Sequence, residues 1–139
     1  MYGQSPYQIN AGLQYTSNHF GFNVAYNKSG RKTYIVGLNP DEIEYEKPRA
    51  QIDAQVSYRF LKSRFEVKLN AANLLNQAST YYINRGSYEK NPDFVAGSGD
   101  YSNAKQLQPG FTDNFEDGDQ LRFSQKFGRT YSVSFNYNF

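Results

Sequence analysis

The segment from Ala50 to Phe60 alternates strictly between apolar and polar side chains, and this period of two constrains the fold more than any other feature. Six apolar and five polar positions follow one another without a break. Successive side chains of a β-strand point to opposite faces, so the order predicts a strand with one apolar and one polar face. No stretch of the sequence has the 3.6-residue period of an amphipathic helix, which indicates an all-β chain.

Four further segments alternate in the same way, which predicts an antiparallel meander of about five long strands. The strands are expected near residues 7–16, 20–36, 49–60, 64–76 and 120–139. The connections are short at 17–19 and 61–64 and long at 37–47 and 77–119. Alternate connections of a meander lie at the same end of the sheet, so the short turns share one end and the long loops share the other.

The polar face of these strands carries charges that cannot be buried unpaired in a dry core. Its members are Gln51, Asp53, Gln55, Arg59, Glu66 and Lys68. An apolar face toward lipid and a polar face toward a wet lumen is the alternation of a transmembrane β-barrel, and runs of about ten residues match a tilted strand that crosses a bilayer. We therefore predict that residues 1–139 form a partial β-barrel domain with these six side chains facing the lumen. A catalytic cluster is the alternative role for the charges, but a cross-strand charge ladder explains them more simply.

Aromatic residues are unusually frequent for so polar a chain. Tyr and Phe make up 17% of the residues, whereas the mean hydropathy is −0.80. Many of these rings lie beside the short turns, which predicts an aromatic girdle at the periplasmic membrane interface. The predicted girdle consists of Tyr15, Phe20, Phe22, Tyr58, Phe60 and Phe65. The alternative is a soluble β-sandwich that uses an aromatic face to bind a glycan or a protein.

The remaining composition excludes several kinds of site. A net charge of +2, with scattered basic residues, argues against a nucleic-acid partner. The absence of Cys and the single residue His19 exclude thiolate chemistry and multi-histidine metal sites, so we expect neither a cofactor nor an enzyme. The acidic segment 113–119 does not have EF-hand spacing; a solvated loop is the simpler interpretation, and calcium binding stays open.

Five strands are too few to close a barrel, and an open sheet would leave two unpaired edges in lipid. The first residues also lack the basic and apolar regions of a secretory signal peptide. We therefore expect this chain to be the end piece of a longer protein.

Three segments resemble the closing strands of TonB-dependent outer-membrane receptors, in particular those of the Bacteroidetes branch. They are 48–60 (PRAQIDAQVSYRF), 73–76 (NLLN) and 128–139 (GRTYSVSFNYNF). The resemblance implies the C-terminal part of a plugged barrel of about 22 strands in the bacterial outer membrane. Such a receptor imports a scarce nutrient, namely a siderophore, cobalamin or glycan, with energy passed from TonB through an N-terminal plug domain that this sequence lacks. The implied partners are outer-membrane lipid, the remainder of the barrel, the plug and, through the plug, TonB.

The last strand also resembles the signal that the barrel-assembly machinery reads in outer-membrane proteins. The residues that match this assembly signal are Lys126, Gly128, Tyr131, Val133, Phe135, Tyr137 and Phe139. The alternative is that any amphipathic final strand matches by chance.

The long connection 77–119 is expected to be an extracellular loop that helps to capture the ligand. Its candidate ligand contacts are Tyr82, Tyr88, Phe94 and Tyr101. These rings serve equally well to pack the loop on itself, and the sequence leaves both roles open.

Overall fold

The computed structural model describes residues 3–62, 64–97, 99–116 and 118–137. Within them the chain is all-β, and its strand pairs are antiparallel, which confirms the fold class at that level. No helix in the described part of the chain is both long and apolar enough to cross a membrane. The chain divides into two compact units. The sheet unit comprises Tyr7–Ser29, Arg49–Ala78 and Lys126–Phe139, and the loop unit comprises Met1–Pro6, Gly30–Pro48 and Ser79–Gln125.

Eleven strands are formed by the described residues. In chain order they are β1 (Gln8–Thr16), β2 (Phe20–Ser29), β3 (Lys32–Ile35), β4 (Glu44–Glu46), β5 (Arg49–Phe60), β6 (Phe65–Ala72), β7 (Ser79–Ile83), β8 (Tyr88–Lys90), β9 (Lys105–Leu107), β10 (Gln120–Gln125) and β11 (Thr130–Tyr137).

The sheet unit contains one five-stranded antiparallel sheet in the order β1-β2-β5-β6-β11. The turn between β1 and β2 is closed by Ser17, whose backbone N–H donates to the carbonyl of Phe20 at 2.7 Å. A Cβ atom at Gly21 would lie 2.8 Å from Oγ of Ser57, so a larger residue there would force the serine hydroxyl to turn away. Gly21 is the only buried residue among those described in this unit. In its described residues, the sheet therefore has no side-chain core of its own.

The loop unit contains a four-stranded sheet, in the order β10-β7-β4-β3, and the β8-β9 hairpin. Its buried apolar residues are Tyr45, Tyr82, Ile83 and Ala104. The segments around Gly86 and Gly118 are in close contact, since a Cβ atom on Gly86 would lie 2.5 Å from the carbonyl carbon of Gly118. Unlike the sheet, this unit has a small core of the ordinary kind.

The predicted strand over 20–36 is wrong at its centre, because β2 and β3 belong to different sheets. The ladder between β2 and β5 ends at the pair Ser29 and Arg49, next to Pro48. Proline has no N–H to continue a ladder, which explains the break. The predicted strand over 120–139 is likewise two strands, β10 and β11, separated by a segment that contains Gly128 at φ +79°.

The predicted loops at 37–47 and 77–119 are wrong where short strands form. The first contains β4 and a 3-10 turn at Pro40–Glu42. The second contains β7, β8, β9 and a 3-10 turn at Arg85–Ser87. The strand predicted over 64–76 ends at Ala72, because Asn73 adopts the left-handed conformation at φ +56°. These elements are too short for alternation to reveal them, and partners distant in sequence stabilise them.

Candidate functional site

Cross-strand register places the apolar positions of the five-stranded sheet on one face. One row across all five strands consists of Tyr15, Phe22, Val56, Leu69 and Val133. The next row consists of Leu13, Val24, Ala54, Ala71 and Tyr131. Because directly paired residues share a face, these rows form one continuous surface, which we call the apolar face.

Along β5 the apolar face is more exposed than the polar face, whereas β1 and β11 are exposed on both faces. Along β5, Val56, Tyr58 and Phe60 are 39%, 53% and 37% exposed, whereas Ser57 and Arg59 between them are only half-buried. On β11, Phe135 reaches 75% exposure. Water-soluble monomers rarely expose apolar patches of this extent, so the face requires an apolar neighbour such as lipid or another protein surface.

The structure brings the rings of the predicted girdle together at the end of the sheet that carries the short turns. Phe60 and Phe65 stack with centroids 5.4 Å apart, and Phe65 lies 4.6 Å from Tyr137. Tyr15 and Phe22 stack at 5.9 Å. The other girdle contacts are Phe20 with Phe22 and Tyr58 with Phe60. All six predicted rings therefore contact at least one other ring.

Glu66 is the centre of an ion-pair cluster on the polar face. Its side chain is 14% exposed. Oε1 lies 3.0 Å from Nε of Arg59, and Oε2 lies 3.1 Å from Nζ of Lys68. Oε2 also accepts a 3.3 Å hydrogen bond from Asn136. Two cations around one carboxylate leave a net charge of +1. Arg59 and Glu66 pair across β5 and β6, Lys68 lies on the same strand as Glu66, and Asp53 is not part of the cluster.

The other predicted polar-face residues follow the same side of β5. The amide nitrogen of Gln51 donates to both carboxylate oxygens of Asp53 at 3.0 Å. Asp53 Oδ1 also accepts the backbone N–H of Asn73 at 2.8 Å. Gln55 pairs in register with Asn23 on one side and Asn70 on the other. Nearby, Gln55, Arg59 and Glu66 help to line a polar groove of about 170 Å³.

The predicted assembly signal lies on an outer strand of the sheet. Tyr131, Val133, Phe135 and Tyr137 alternate along β11 and are all exposed. Lys126 and Gly128 precede the strand, and the carbonyl of Gly128 accepts a hydrogen bond from the side chain of Asn73. Phe139 lies outside the described residues. In the described part of the chain, β11 pairs with β6 alone, so its other edge is available for strand addition.

The four predicted ligand-contacting rings of the loop unit occupy different environments. Tyr82 is 1% exposed and packs against Tyr45 at 5.7 Å, so it belongs to the core and the ligand role proposed for it is wrong. Burial raises the pKa of Tyr82 to about 12. Tyr88 is half-buried. Phe94 and Tyr101 lie 5.6 Å apart, and Tyr101 is exposed, so this pair still fits a surface contact.

The acidic segment around Asp113 is held by Arg31, which the sequence analysis missed. Nη2 of Arg31 lies 2.6 Å from Oδ2 of Asp113, and Nη1 donates to the backbone carbonyl of Asp113. The same guanidinium stacks over Tyr45, with its carbon 4.4 Å from the ring centroid. The hydrogen bond from Arg31 lowers the pKa of the Asp113 carboxyl. No sequence pattern signals this contact, because the two residues lie far apart along the chain.

The other described carboxylates of the segment, Glu116 and Asp119, also accept hydrogen bonds within the loop unit. Glu116 Oε1 accepts the backbone N–H and the hydroxyl of Thr112 at 2.8 and 2.7 Å. Asp119 accepts the hydroxyl of Ser87 at 3.1 Å. Asp117 lies outside the described residues. Among the residues that the structure covers, no group of three acidic, histidine or cysteine side chains is arranged to hold a metal ion.

Comparisons of this chain with protein-family models, curated proteins and solved structures find no match.

Proposed function

We propose that the chain is the C-terminal part of an outer-membrane TonB-dependent receptor, and that its five-stranded sheet is a wall segment of the transmembrane β-barrel. The receptor imports a scarce nutrient, such as a siderophore, cobalamin or glycan. The strands wall the pore, and the long connections help to capture the ligand. The wall needs further strands and a plug from the rest of the barrel.

One observation carries this proposal: the apolar face is exposed, while the polar face holds a satisfied ion-pair cluster. A sheet in a soluble sandwich packs its apolar face into a core. Here Phe135 and Tyr58 are exposed, and Glu66 on the opposite face is mostly covered. This distribution is typical of a barrel wall, with lipid outside and water inside.

The ring contacts add independent support. Aromatic residues are enriched where a barrel wall meets the membrane–water interface. The girdle rings contact one another at a single end of the sheet, and the turns at that end are short. Short turns are the periplasmic connections of bacterial barrels, so we assign this end to the periplasmic side.

The first test is the behaviour of the purified full chain without detergent. We expect it to aggregate in buffer and to become dispersed when a mild detergent covers the apolar face. Sedimentation velocity, together with thermal melting, measures this. A monomer in detergent-free buffer that melts cooperatively would contradict the proposal and favour the soluble binding module.

A second test uses the absence of Cys to label adjacent positions on opposite faces of β11. Val133→Cys and Ser134→Cys both place the thiol at an exposed position of the same strand. In detergent micelles, we expect a water-soluble maleimide to react with Ser134→Cys and to spare Val133→Cys. Equal reaction at both positions would show that detergent does not cover the apolar face.

A further inference from the structure

Lys28 is the one charged side chain at the apolar-face positions of the described strands in the five-stranded sheet. It lies in the row formed with Ile9 on β1 and Ala50 on β5. Every other position on this face of the described strands carries Ala, Val, Leu, Ile, Phe or Tyr. A single cation among apolar side chains is unfavourable unless a counterion or a polar neighbour compensates its charge.

In the part of the chain that the structure describes, Lys28 forms no ion pair that explains its position. The acidic side chains of the described sheet lie on the opposite face, where Asp53 bonds Gln51 and Glu66 bonds Arg59 and Lys68. Among the described residues, no carboxylate lies within ion-pair distance of Lys28, which is half-buried. Its ammonium group therefore lacks a counterion within this part of the protein.

The position of Lys28 along the sheet is informative. The girdle lies at the short-turn end of β2, where Phe20 and Phe22 are, and Lys28 lies at the other end of the same strand. On the neighbouring strand β5, the apolar face extends from Ala50, beside Lys28, to Phe60 in the girdle. Ten residues of strand span about 33 Å, which at a tilt of about 40° corresponds to roughly 25 Å of height.

That height is the thickness of the apolar band around a transmembrane barrel, which is about 25 Å. A lysine at the centre of the band would cost about 2–4 kcal/mol, whereas near the interface the cost falls to about 0–1 kcal/mol. The long stem of lysine also lets the ammonium reach outward to the headgroups while its methylenes stay in apolar surroundings. Both considerations place Lys28 at the boundary opposite the girdle.

We propose that the row of Ile9, Lys28 and Ala50 marks the second membrane–water boundary and that Lys28 binds the phosphate of a lipid headgroup there. The inference rests on the proposed function, because it needs the apolar face to lie in lipid. It adds the partner of a particular side chain and the position of the far edge of the band. An anionic phosphate is the counterion that the ammonium lacks in the protein.

The test compares Lys28→Gln with the wild type in phosphatidylglycerol vesicles, in phosphatidylcholine vesicles and in alkyl maltoside micelles, at matched ionic strength. A basic residue near an anionic surface contributes about fivefold to partitioning, so Lys28→Gln is expected to bind phosphatidylglycerol vesicles about fivefold less. No difference is expected in maltoside micelles, which contain no phosphate. Lys28→Arg should retain the binding. Lys90→Gln removes an equal charge from an exposed position of β8 and serves as the matched control.

The outcomes separate the two proposals. If the wild type binds vesicles and Lys28→Gln binds phosphatidylglycerol equally well, the inference about Lys28 is wrong while the barrel wall survives. An equal loss in Lys90→Gln also overturns it, because general charge then explains the effect. If the wild type binds neither vesicles nor micelles, the proposed function itself fails.

A nitroxide label measures the position of the boundary directly. We expect the label in Lys28→Cys to show intermediate collision rates with oxygen and with a water-soluble nickel complex. The label in Val24→Cys should lie in hydrocarbon, and the label in Asn27→Cys, on the polar face, should contact water. A Lys28→Cys label as deep as the Val24→Cys label would overturn the assignment.

Discussion

Val56→Arg and Gln55→Arg place the same charge on opposite faces of the central strand at adjacent positions. Val56 lies between Phe22 and Leu69 on the apolar face. Gln55 lies between two asparagines on the polar face, so an arginine there meets no like charge directly across the ladder. The pair therefore tests the assignment of faces with nearly everything else held constant.

The expected cost differs because the two positions face different solvents. Val56 lies near the middle of β5, and an arginine near the centre of a lipid-facing band costs about 2–4 kcal/mol. Gln55→Arg should cost less than about 1 kcal/mol, as is usual for a wet surface. The difference of about 2–3 kcal/mol corresponds to roughly a 30- to 150-fold change in the ratio of folded to unfolded protein.

The assay is a urea titration of the full chain reconstituted in phosphatidylcholine vesicles, followed by far-ultraviolet circular dichroism. The free energy of unfolding of each variant comes from linear extrapolation to zero urea. Val56 is 39% exposed. If this face were in contact with water, as in a soluble protein, an arginine there would change the free energy of unfolding by about 0.5 kcal/mol or less. A small effect of Val56→Arg in vesicles, or an equal effect of both variants, would refute the reasoning.

Three further predictions concern single contacts. Because the pKa of Asp113 is lowered, its ion pair stabilises the loop unit above the ordinary carboxyl pKa of about 3.9, and this stabilisation is lost as the pH falls below that value. Asp113→Asn should therefore reduce the loss of thermal stability in acid. A pH profile of the melting temperature that is the same in Asp113→Asn and in the wild type would contradict the prediction. Gly86→Ala forces a methyl group against the backbone of Gly118 and should destabilise the protein by about 2 kcal/mol in urea, whereas Gly12→Ala, which meets no such contact, should cost well under half of that. Glu66→Gln removes two ion pairs and leaves two cations side by side, so the urea midpoint should fall, and a midpoint that rises would count against the charge ladder.

Alternation of apolar and polar residues is sufficient to predict a strand where the strand is long and one of its faces is polar. The run from Ala50 to Phe60 indicates β5, and the rings beside the short turns indicate the contact between Phe60 and Phe65. Such features are local, since side chains two residues apart share a face and short turns bring neighbouring strands into register.

The strands and contacts of the loop unit could not be predicted from alternation. The three-residue strand β4 is too short to show a period, and it forms because β3 and β7 flank it. Arg31 contacts Asp113 across most of the length of the sequence, and no spacing rule links residues so far apart. Lys28 did leave a signal, because it interrupts the apolar order of β2, but the register was needed to show that it lies on the face opposite the described carboxylates of the sheet.

Strand direction in the five-stranded sheet limits how that sheet can be completed. Each neighbouring pair is antiparallel, so β1 and β11, the two outer strands, run in the same direction. If copies of this sheet were joined side by side with the same orientation, β11 of one copy would meet β1 of the next in parallel. A closed ring in which every neighbouring pair is antiparallel needs an even number of strands. The five strands of this sheet can therefore be completed to such a ring only by an odd number of additional strands. Side-by-side copies of this segment cannot form the ring, because neighbouring copies would meet in parallel.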